Sequence, residues 1–199
     1  LWVNKSYSTG RVQLASKDPE AEPDVDFDMC SDRRDMERMI DGIKVMVKLC
    51  RSPALKDAVI ETIPVAYDNR ARKVGVYTPY NRVKTWLGAQ AMDASSMVRR
   101  YVIDNLIASG PTIEDLVADD SVAEQWIRNT VLGHWHATCT CPMGNEDDPK
   151  AVTDPAGKVY GMGGLRICDA SLMPAVPCAN TNITTLMIGE KIAATILAE

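Results

Sequence analysis

The clearest pattern in the chain is a helical repeat of apolar side chains between positions 36 and 50. Apolar residues recur there at intervals of three and four, a spacing that places side chains on one face of an α-helix. Ser31 or Asp32 is suited to cap its start, and Arg51-Ser52-Pro53 ends it, because proline does not continue a helix. The repeat comprises Met36, Met39, Ile40, Ile43, Met46, Val47 and Cys50. It predicts a helix of about five turns.

Alternating residues near the amino terminus indicate two strands. Positions 10–16 read Gly-Arg-Val-Gln-Leu-Ala-Ser, and the alternation resumes at Val25 and Phe27 after Pro23. A period of two is typical of a half-buried strand.

The middle of the chain carries weaker signals. Val74, Val76 and Tyr77 suggest a strand, and residues 96–108 a helix ended by the Gly-Pro pair at 110–111.

A further helix is predicted to open at Ser121 and run to about Leu132. Ser121 and Glu124 have the spacing of a capping box, in which each side chain bonds the other's backbone amide. Gly133 ends the helix, and His134 after it is expected to cap it or to pack.

The C-terminal third begins with a turn and ends with a helix. Asp-Pro-Ala-Gly at 154–157 fits a type I turn, and a strand is expected to reach Cys168. The final helix is predicted to start near Asn180 or Thr181, with Asn180 also suited to cap it. Its expected buried residues are Leu186, Met187, Ile192 and Ile196. Together these elements predict an α+β fold, an antiparallel sheet backed by helices.

Composition excludes several functional classes. The chain has 199 residues, of which 46% are hydrophobic and 25% charged, and a net charge of -5 without a basic block, which argues against nucleic-acid binding. The most apolar stretch, at 183–197, is interrupted by Glu190 and Lys191, which argues against a membrane span. The six cysteines fall irregularly, so we expect reduced thiols and a cytoplasmic protein of bacterial type. They are Cys30, Cys50, Cys139, Cys141, Cys168 and Cys178.

The candidate chemistry lies in three blocks near the end of the chain. The first is His-Ala-Thr-Cys-Thr-Cys-Pro-Met-Gly at 136–144, the second Gly-Leu-Arg-Ile-Cys-Asp-Ala-Ser at 164–171, and the third, at 180–191, begins Asn-Thr-Asn and ends Glu-Lys. His136 has the side chain type whose ordinary pKa is nearest neutrality. Asn180 supplies an amide that donates or accepts a hydrogen bond without titrating.

These blocks resemble the C-terminal part of the glucose-methanol-choline (GMC) oxidoreductases, which are flavin-dependent alcohol oxidases and dehydrogenases. That family carries His-x-x-Gly-Thr-x-x-Met-Gly, then Gly-Leu-Arg-Val-x-Asp-Ala-Ser, then Pro, a His or Asn, and a helix of the type Met-Ile-x-Glu-Lys. Positions 8–14, followed by Asp18-Pro19, look like the start of the family's substrate domain. Cys139 departs from the pattern, because the family has glycine there. Aryl-alcohol and hydroxymethylfurfural oxidases look most similar.

The resemblance implies a domain organisation and a cofactor. Residues 1–133 would form the substrate-binding domain, and residues 134–199 an active-site segment whose strand and helix return to the flavin domain. The cofactor would be FAD, with Asp169, Ala170 and Asn182 lying against it. The resemblance implies no metal.

The same resemblance assigns catalytic roles. His136 would be the base that takes the hydroxyl proton of an alcohol while hydride passes to the flavin. Asn180 would hydrogen-bond the same oxygen and stabilise developing alkoxide charge.

The sequence lacks the Gly-x-Gly-x-x-Gly motif that opens a dinucleotide-binding fold. Since Leu1 is not an initiator methionine, we interpret the chain as a fragment without its N-terminal FAD-binding domain. Alone it is expected to be inactive and to bind FAD weakly or not at all. We expect exposed apolar surface on it, or a homo-oligomer that covers that surface.

One alternative from another functional class stays open. His134, His136, Cys139 and Cys141 offer four ligand types suited to zinc or copper within eight residues, which would fit a stand-alone binding or metal module. Structural zinc usually takes ligands two to four residues apart in separate knuckles, so this spacing favours the flavoenzyme. The alcohol, the electron acceptor and the family's lyase branch are not distinguished by the sequence.

Overall fold

The computed structural model describes residues 1–55, 57–64, 73, 75–107 and 110–199. Within these residues the chain is mainly helical and carries one small antiparallel sheet. It divides into two compact units, one formed by Leu1 with residues 37–131 and the other by residues 2–36 with residues 132–199. No helix among the described residues is long and apolar enough to cross a bilayer.

The two N-terminal strands form as an antiparallel pair but are shorter than predicted. β1 (Arg11–Gln13) pairs with β2 (Asp24–Asp26), with Val12 opposite Val25. The expectation of a half-buried face is wrong, because all six strand residues are exposed. Among the described residues this is the only sheet, so helices are not backing an extended one.

The first helix, α1 (Arg33–Cys50), confirms the helical repeat. Asp32 is its cap, since its carboxylate accepts the backbone N–H of Arg34 at 2.9 Å. Met36, Ile40 and Val47 are buried, whereas Met46 is exposed.

A helix stands next to the segment where a third strand was predicted. Val74 lies outside the described residues, and Val76 and Tyr77 are not in a strand. Instead, α2 (Pro79–Ala94) begins behind Thr78, whose hydroxyl accepts the amide of Asn81 at 3.1 Å. The Thr-Pro pair is a helix start signal, because proline suits the first helical position.

The predicted helix at 96–108 is present over its described part. α3 (Ser96–Val102) is capped by Ser95 and continues as a π-helical turn (Ile103–Ile107). Ala108 lies outside the described residues.

Two short helices follow, α4 (Ile113–Ala118) and α5 (Asp120–Thr130). The capping box predicted at Ser121 is wrong, because Asp119 is the cap and accepts both the amide and the hydroxyl of Ser121. A carboxylate binds N-terminal amides more strongly than a hydroxyl does. These bonds from Ser121 also lower the pKa of Asp119. Glu124 instead pairs with Arg128, one turn later.

A true capping box occurs one helix earlier. The Thr112 hydroxyl accepts the amide of Asp115, and the Asp115 carboxylate accepts the amide of Thr112.

In the unit formed by Leu1 with residues 37–131, the buried apolar side chains come from α1, the π-helical turn, α4 and α5. They are Ile40, Val47, Ile103, Ile113, Leu116, Ala123 and Ile127.

The predicted turn at 154–157 forms. The Gly157 amide donates to the Asp154 carbonyl at 3.0 Å, and the Asp154 carboxylate accepts the amides of Ala156 and Lys158. The strand expected to reach Cys168 is wrong, because only isolated bridges form, such as Lys158 with Arg166.

The C-terminal helix is confirmed as α6 (Asn182–Leu197), but its buried face differs from the prediction. Ile188 and Ile192 are buried against Leu172 and Met173, which define the core of this unit. Of the four residues predicted to be buried, only Ile192 is. The exposed ones are Leu186, Met187 and Ile196, and Ile183 and Leu197 are exposed as well. Apolar surface is therefore exposed, as expected.

Candidate active site

His136 lies on the segment that follows α5, and its imidazole is held by the start of α6. The Nδ1 atom lies 3.2 Å from the hydroxyl oxygen of Thr181. His136 is half-buried, and Thr181 is only 8% exposed. A contact between residues 45 positions apart thus fixes the ring of the predicted catalytic histidine.

The first two sequence blocks are joined by backbone hydrogen bonds. The amides of Cys139, Cys141 and Met143 donate in turn to the carbonyls of Ala170, Ser171 and Leu172, at 3.4, 3.0 and 2.9 Å. Through these bonds the first block lies alongside a 3₁₀ turn (Ala170–Leu172).

The third block joins them through apolar contacts. Ile188 and Ile192 of α6 pack in one cluster with Leu172 and Met173, and Cys139, Met143, Ile167 and Ala170 lie against that cluster. The structure therefore brings the three blocks into one body.

Cys139 occupies the position where the pattern that the sequence resembles has glycine. Its φ is +69°, in the left-handed region that favours glycine. Trp135, just before His136, also has a positive φ of +57°. The backbone on both sides of the imidazole is thus held in conformations that L-residues rarely adopt.

The residues predicted to lie against a cofactor are Asp169 and Ala170 in the second block and Asn182 in the third. Asp169 is exposed and caps the 3₁₀ turn, with its carboxylate accepting the amide of Ser171 at 2.8 Å. Ala170 is half-buried, and Asn182 is exposed as the first residue of α6.

Asn180 is exposed and directly precedes the cap of α6. The expectation that it caps this helix is wrong, because Thr181 occupies the N-cap position. The side-chain amide of Asn180 therefore does not cap this helix. Sequence reasoning missed Thr181, which looked like an ordinary helix-start residue; its position between two asparagines was the only signal.

Side-chain hydrogen bonds and ion pairs tie together the segments around residues 144–166 and the chain end. Tyr160 donates to the carbonyl of Gly144 at 2.8 Å, and burial raises the pKa of its phenol. Lys158 and Arg166 both bind Glu199, and their hydrogen bonds lower the pKa of that carboxyl.

His134 packs, as predicted. Its ring lies 4.4 Å from that of Trp2 and meets His136 edge-on at 5.6 Å, measured between ring centroids. His134 is exposed.

The geometry does not support the alternative metal module. Among the described residues, which include His134, His136, Cys139 and Cys141, no three His, Cys, Asp or Glu side chains are placed to share an ion. Each of the six cysteines has a free thiol.

The family model for the C-terminal part of GMC oxidoreductases matches residues 6–189. The chain belongs to the GMC oxidoreductase family. That match includes all three blocks and both N-terminal strands, apart from the last two residues of the third block.

Curated relatives match all or nearly all of the chain, which spans less than a third of their own length. The chain is 37% identical over 199 residues to a 5-(hydroxymethyl)furfural oxidase of Methylovorus sp., spanning 31% of that protein. It is 30% identical over 189 residues to an oxygen-dependent choline dehydrogenase of Pseudomonas aeruginosa, covering 95% of this chain and 25% of that one.

Solved structures share the GMC fold. A pyridoxine 4-oxidase from Mesorbium loti superposes with a TM-score of 0.66 at 18% identity, covering 98% of this chain and 28% of that one. A fungal aryl-alcohol oxidase gives 0.62 at 23% identity, covering 95% and 23%. A formate oxidase of Aspergillus oryzae, described with its FAD, gives 0.64 at 21% identity, covering 96% and 25%.

Proposed function

We propose that this chain is the C-terminal, substrate-side part of an FAD-dependent alcohol oxidoreductase acting on CH–OH groups. Membership of the GMC family supports the reaction class. The 37% identity to a hydroxymethylfurfural oxidase and the 30% identity to a choline dehydrogenase support an alcohol as substrate.

The contact between His136 and Thr181 is the observation that carries the proposal. It fixes an imidazole beside the residue that follows Asn180 in the chain. Alcohol oxidation needs a base that removes the hydroxyl proton and a hydrogen-bond donor that stabilises the charge left on oxygen, and we propose His136 and Asn180 for these two roles.

His136 receives the hydroxyl proton in this proposal. Histidine suits that step, since its ordinary pKa is near working pH, so the neutral form that accepts a proton is available there. Asn180 donates its side-chain N–H to the same oxygen as negative charge develops there. Its amide does not titrate, so its contribution is the same at every working pH.

The residues present fit FAD. FAD, when bound, accepts the hydride from the alcohol carbon. The Thr181 side chain makes no hydrogen bond to the first turn of α6, so the partial positive charge of that helix end is left for an anionic partner. Asp169, Ala170 and Asn182 are proposed to lie against the cofactor, with Asp169 also holding the 3₁₀ turn in shape.

The chain alone is proposed to be inactive, because it lacks a dinucleotide-binding motif and spans 31% or less of the two curated relatives described above. The remaining residues of the full-length protein would supply the FAD-binding domain. Tight stoichiometric FAD binding by the 199-residue chain would contradict this part of the proposal.

The test uses the full-length protein obtained by extending the coding sequence upstream. Wild type, His136→Gln and His134→Gln are reduced anaerobically with benzylic, furanic and choline-like alcohols, and flavin reduction is followed by absorbance. His136→Gln should slow reduction by about a hundredfold or more, the usual contribution of a general base. His134→Gln is the matched control and should reduce at nearly the wild-type rate.

Two outcomes would overturn the proposal. One is a His136→Gln protein that is reduced as fast as wild type. The other is a full-length protein that binds no flavin.

Asn180→Ala should also slow flavin reduction. The pH dependence of the reduction rate should not change, since no titrating group is removed.

A further inference from the structure

Thr181 uses its hydroxyl in an unusual way for its position. Threonine at an N-cap ordinarily accepts a hydrogen bond from an amide in the first turn of its own helix. Thr181 occupies the N-cap of α6 but makes no such bond. Its hydroxyl oxygen lies 3.2 Å from Nδ1 of His136 instead.

The site is built to hold this contact. Thr181 is 8% exposed, so water competes little for the bond. Its backbone is tied into α6, because its carbonyl accepts both the amide and the hydroxyl of Thr185 at 2.9 Å. The imidazole thus meets a hydroxyl whose position is set by the helix.

The direction of this hydrogen bond decides whether His136 can act as a base. A neutral imidazole carries one proton, and the nitrogen without it is the acceptor. If Nδ1–H donates to Thr181, the lone pair is on Nε2. If the Thr181 hydroxyl donates to Nδ1, then Nε2 carries the proton and cannot take one from an alcohol.

We propose that Thr181 is a positioning residue that accepts the Nδ1–H of His136 and so keeps Nε2 as the proton acceptor. The inference rests on the proposed function. In the reaction Nε2 gains the hydroxyl proton, Nδ1 keeps its own, and Thr181 keeps its own. Because Nδ1 is a donor before and after this step, the bond to Thr181 persists and the ring does not need to reorient.

The first measurement needs no variant. The full-length flavoprotein is labelled with ring-15N histidine, and the protonation of each ring nitrogen is read from its 15N chemical shift at a pH where His136 is neutral. His136→Gln identifies the signal. The inference expects a proton on Nδ1 and none on Nε2. A wild-type His136 with its proton on Nε2 would overturn it, whatever the activity.

The second measurement separates positioning from packing. Thr181→Val removes the hydroxyl and nearly preserves the shape, and Thr181→Ser restores a hydroxyl. Thr195→Val is the control, because it removes a hydroxyl that donates to the Lys191 carbonyl of the same helix at 2.9 Å. Thr181→Val should give a mixture of tautomers and lower the limiting rate of flavin reduction by about tenfold, the effect of one lost hydrogen bond, with little change in substrate affinity. Thr181→Ser and Thr195→Val should behave like wild type.

The outcomes distinguish this inference from the proposed function. If Thr181→Val keeps the Nδ1–H tautomer, or if Thr181→Ser is as slow as Thr181→Val, Thr181 does not position the imidazole, and the role of His136 as base is unaffected. If His136→Gln is reduced at the wild-type rate, the proposed function fails, and the tautomer in wild type still tests the contact.

Discussion

The amide of Cys139 donates a hydrogen bond to the carbonyl of Ala170, and Cys139 adopts a φ of +69° to do so. This pairing joins the block that carries His136 to the block that carries Asp169. The left-handed conformation is one that glycine adopts without strain.

The stability of Cys139 variants should depend on backbone strain at this position. Cys139→Gly removes left-handed strain of roughly 1–2 kcal/mol but loses the side chain that lies against the core, so we expect a free energy of unfolding within about 1 kcal/mol of wild type. Cys139→Val should be less stable than Cys139→Gly by about 2 kcal/mol, because a β-branched residue rarely adopts a positive φ. Urea unfolding measures the stability of both variants. Equal stabilities for Cys139→Gly and Cys139→Val would contradict the strain argument.

Gly157 and Gly161 offer a matched pair that separates strain from steric contact. Both have positive φ, +75° and +73°. A Cβ at Gly157 would lie 2.5 Å from the carbonyl oxygen of Ile167, whereas a Cβ at Gly161 would meet nothing within 4 Å. Gly161→Ala should lower the free energy of unfolding by about 1 kcal/mol, and Gly157→Ala by about 3 kcal/mol or more. Thermal or urea unfolding of the two variants tests the difference.

Asp35 anchors the N-terminal segment to α1. Its buried carboxylate accepts the amides of Tyr7 and Ser8 and the hydroxyl of Ser8, at 2.7–2.8 Å. Asp35→Ala should lower the free energy of unfolding by about 1–3 kcal/mol, because it leaves three part-buried donors without this acceptor. Asp41→Ala, at an exposed position of the same helix, is the control and should change stability little. Similar losses in the two variants would refute the anchoring role.

Asp32 should titrate at an unusually low pH. The hydrogen bond from the Arg34 guanidinium lowers its pKa from 3.8 to about 2. A depressed folded-state pKa stabilises the fold above pH 3.8, and that contribution is lost as the pH falls through about 2. Arg34→Gln should raise the pKa of Asp32 toward its ordinary value and move acid unfolding to higher pH, while the hydrogen bond from the backbone N–H of residue 34 keeps part of the shift. NMR titration of the carboxyl carbon measures the pKa directly, and an unchanged value would disprove the pairing.

Helix α1 and the turn at 154–157 were predicted correctly because short sequence patterns specify them. The repeat from Met36 to Cys50 predicted α1, because its periodicity reflects one buried face. The turn at 154–157 was predictable because proline and glycine have restricted backbone preferences. The start of α5 was misassigned, since Ser121 and Asp119 both suit a cap and Glu124 lies at the capping-box spacing from Ser121.

Burial along α6 was not predictable from its sequence. The helix is apolar nearly all round, so its composition does not select a face. Contact with Leu172 and Met173 selects Ile188 and Ile192 and leaves Leu186 and Met187 exposed.

The sequence by itself determined the GMC family, the order of the three blocks, and His136 and Asn180 as candidate residues, because residue types at fixed spacing are read directly from the chain. Only the tertiary structure decided that Thr181 contacts Nδ1 of His136 and that Cys139 pairs with Ala170. Those contacts join residues 45 and 31 positions apart. Their geometry depends on how the chain packs, which local spacing does not encode.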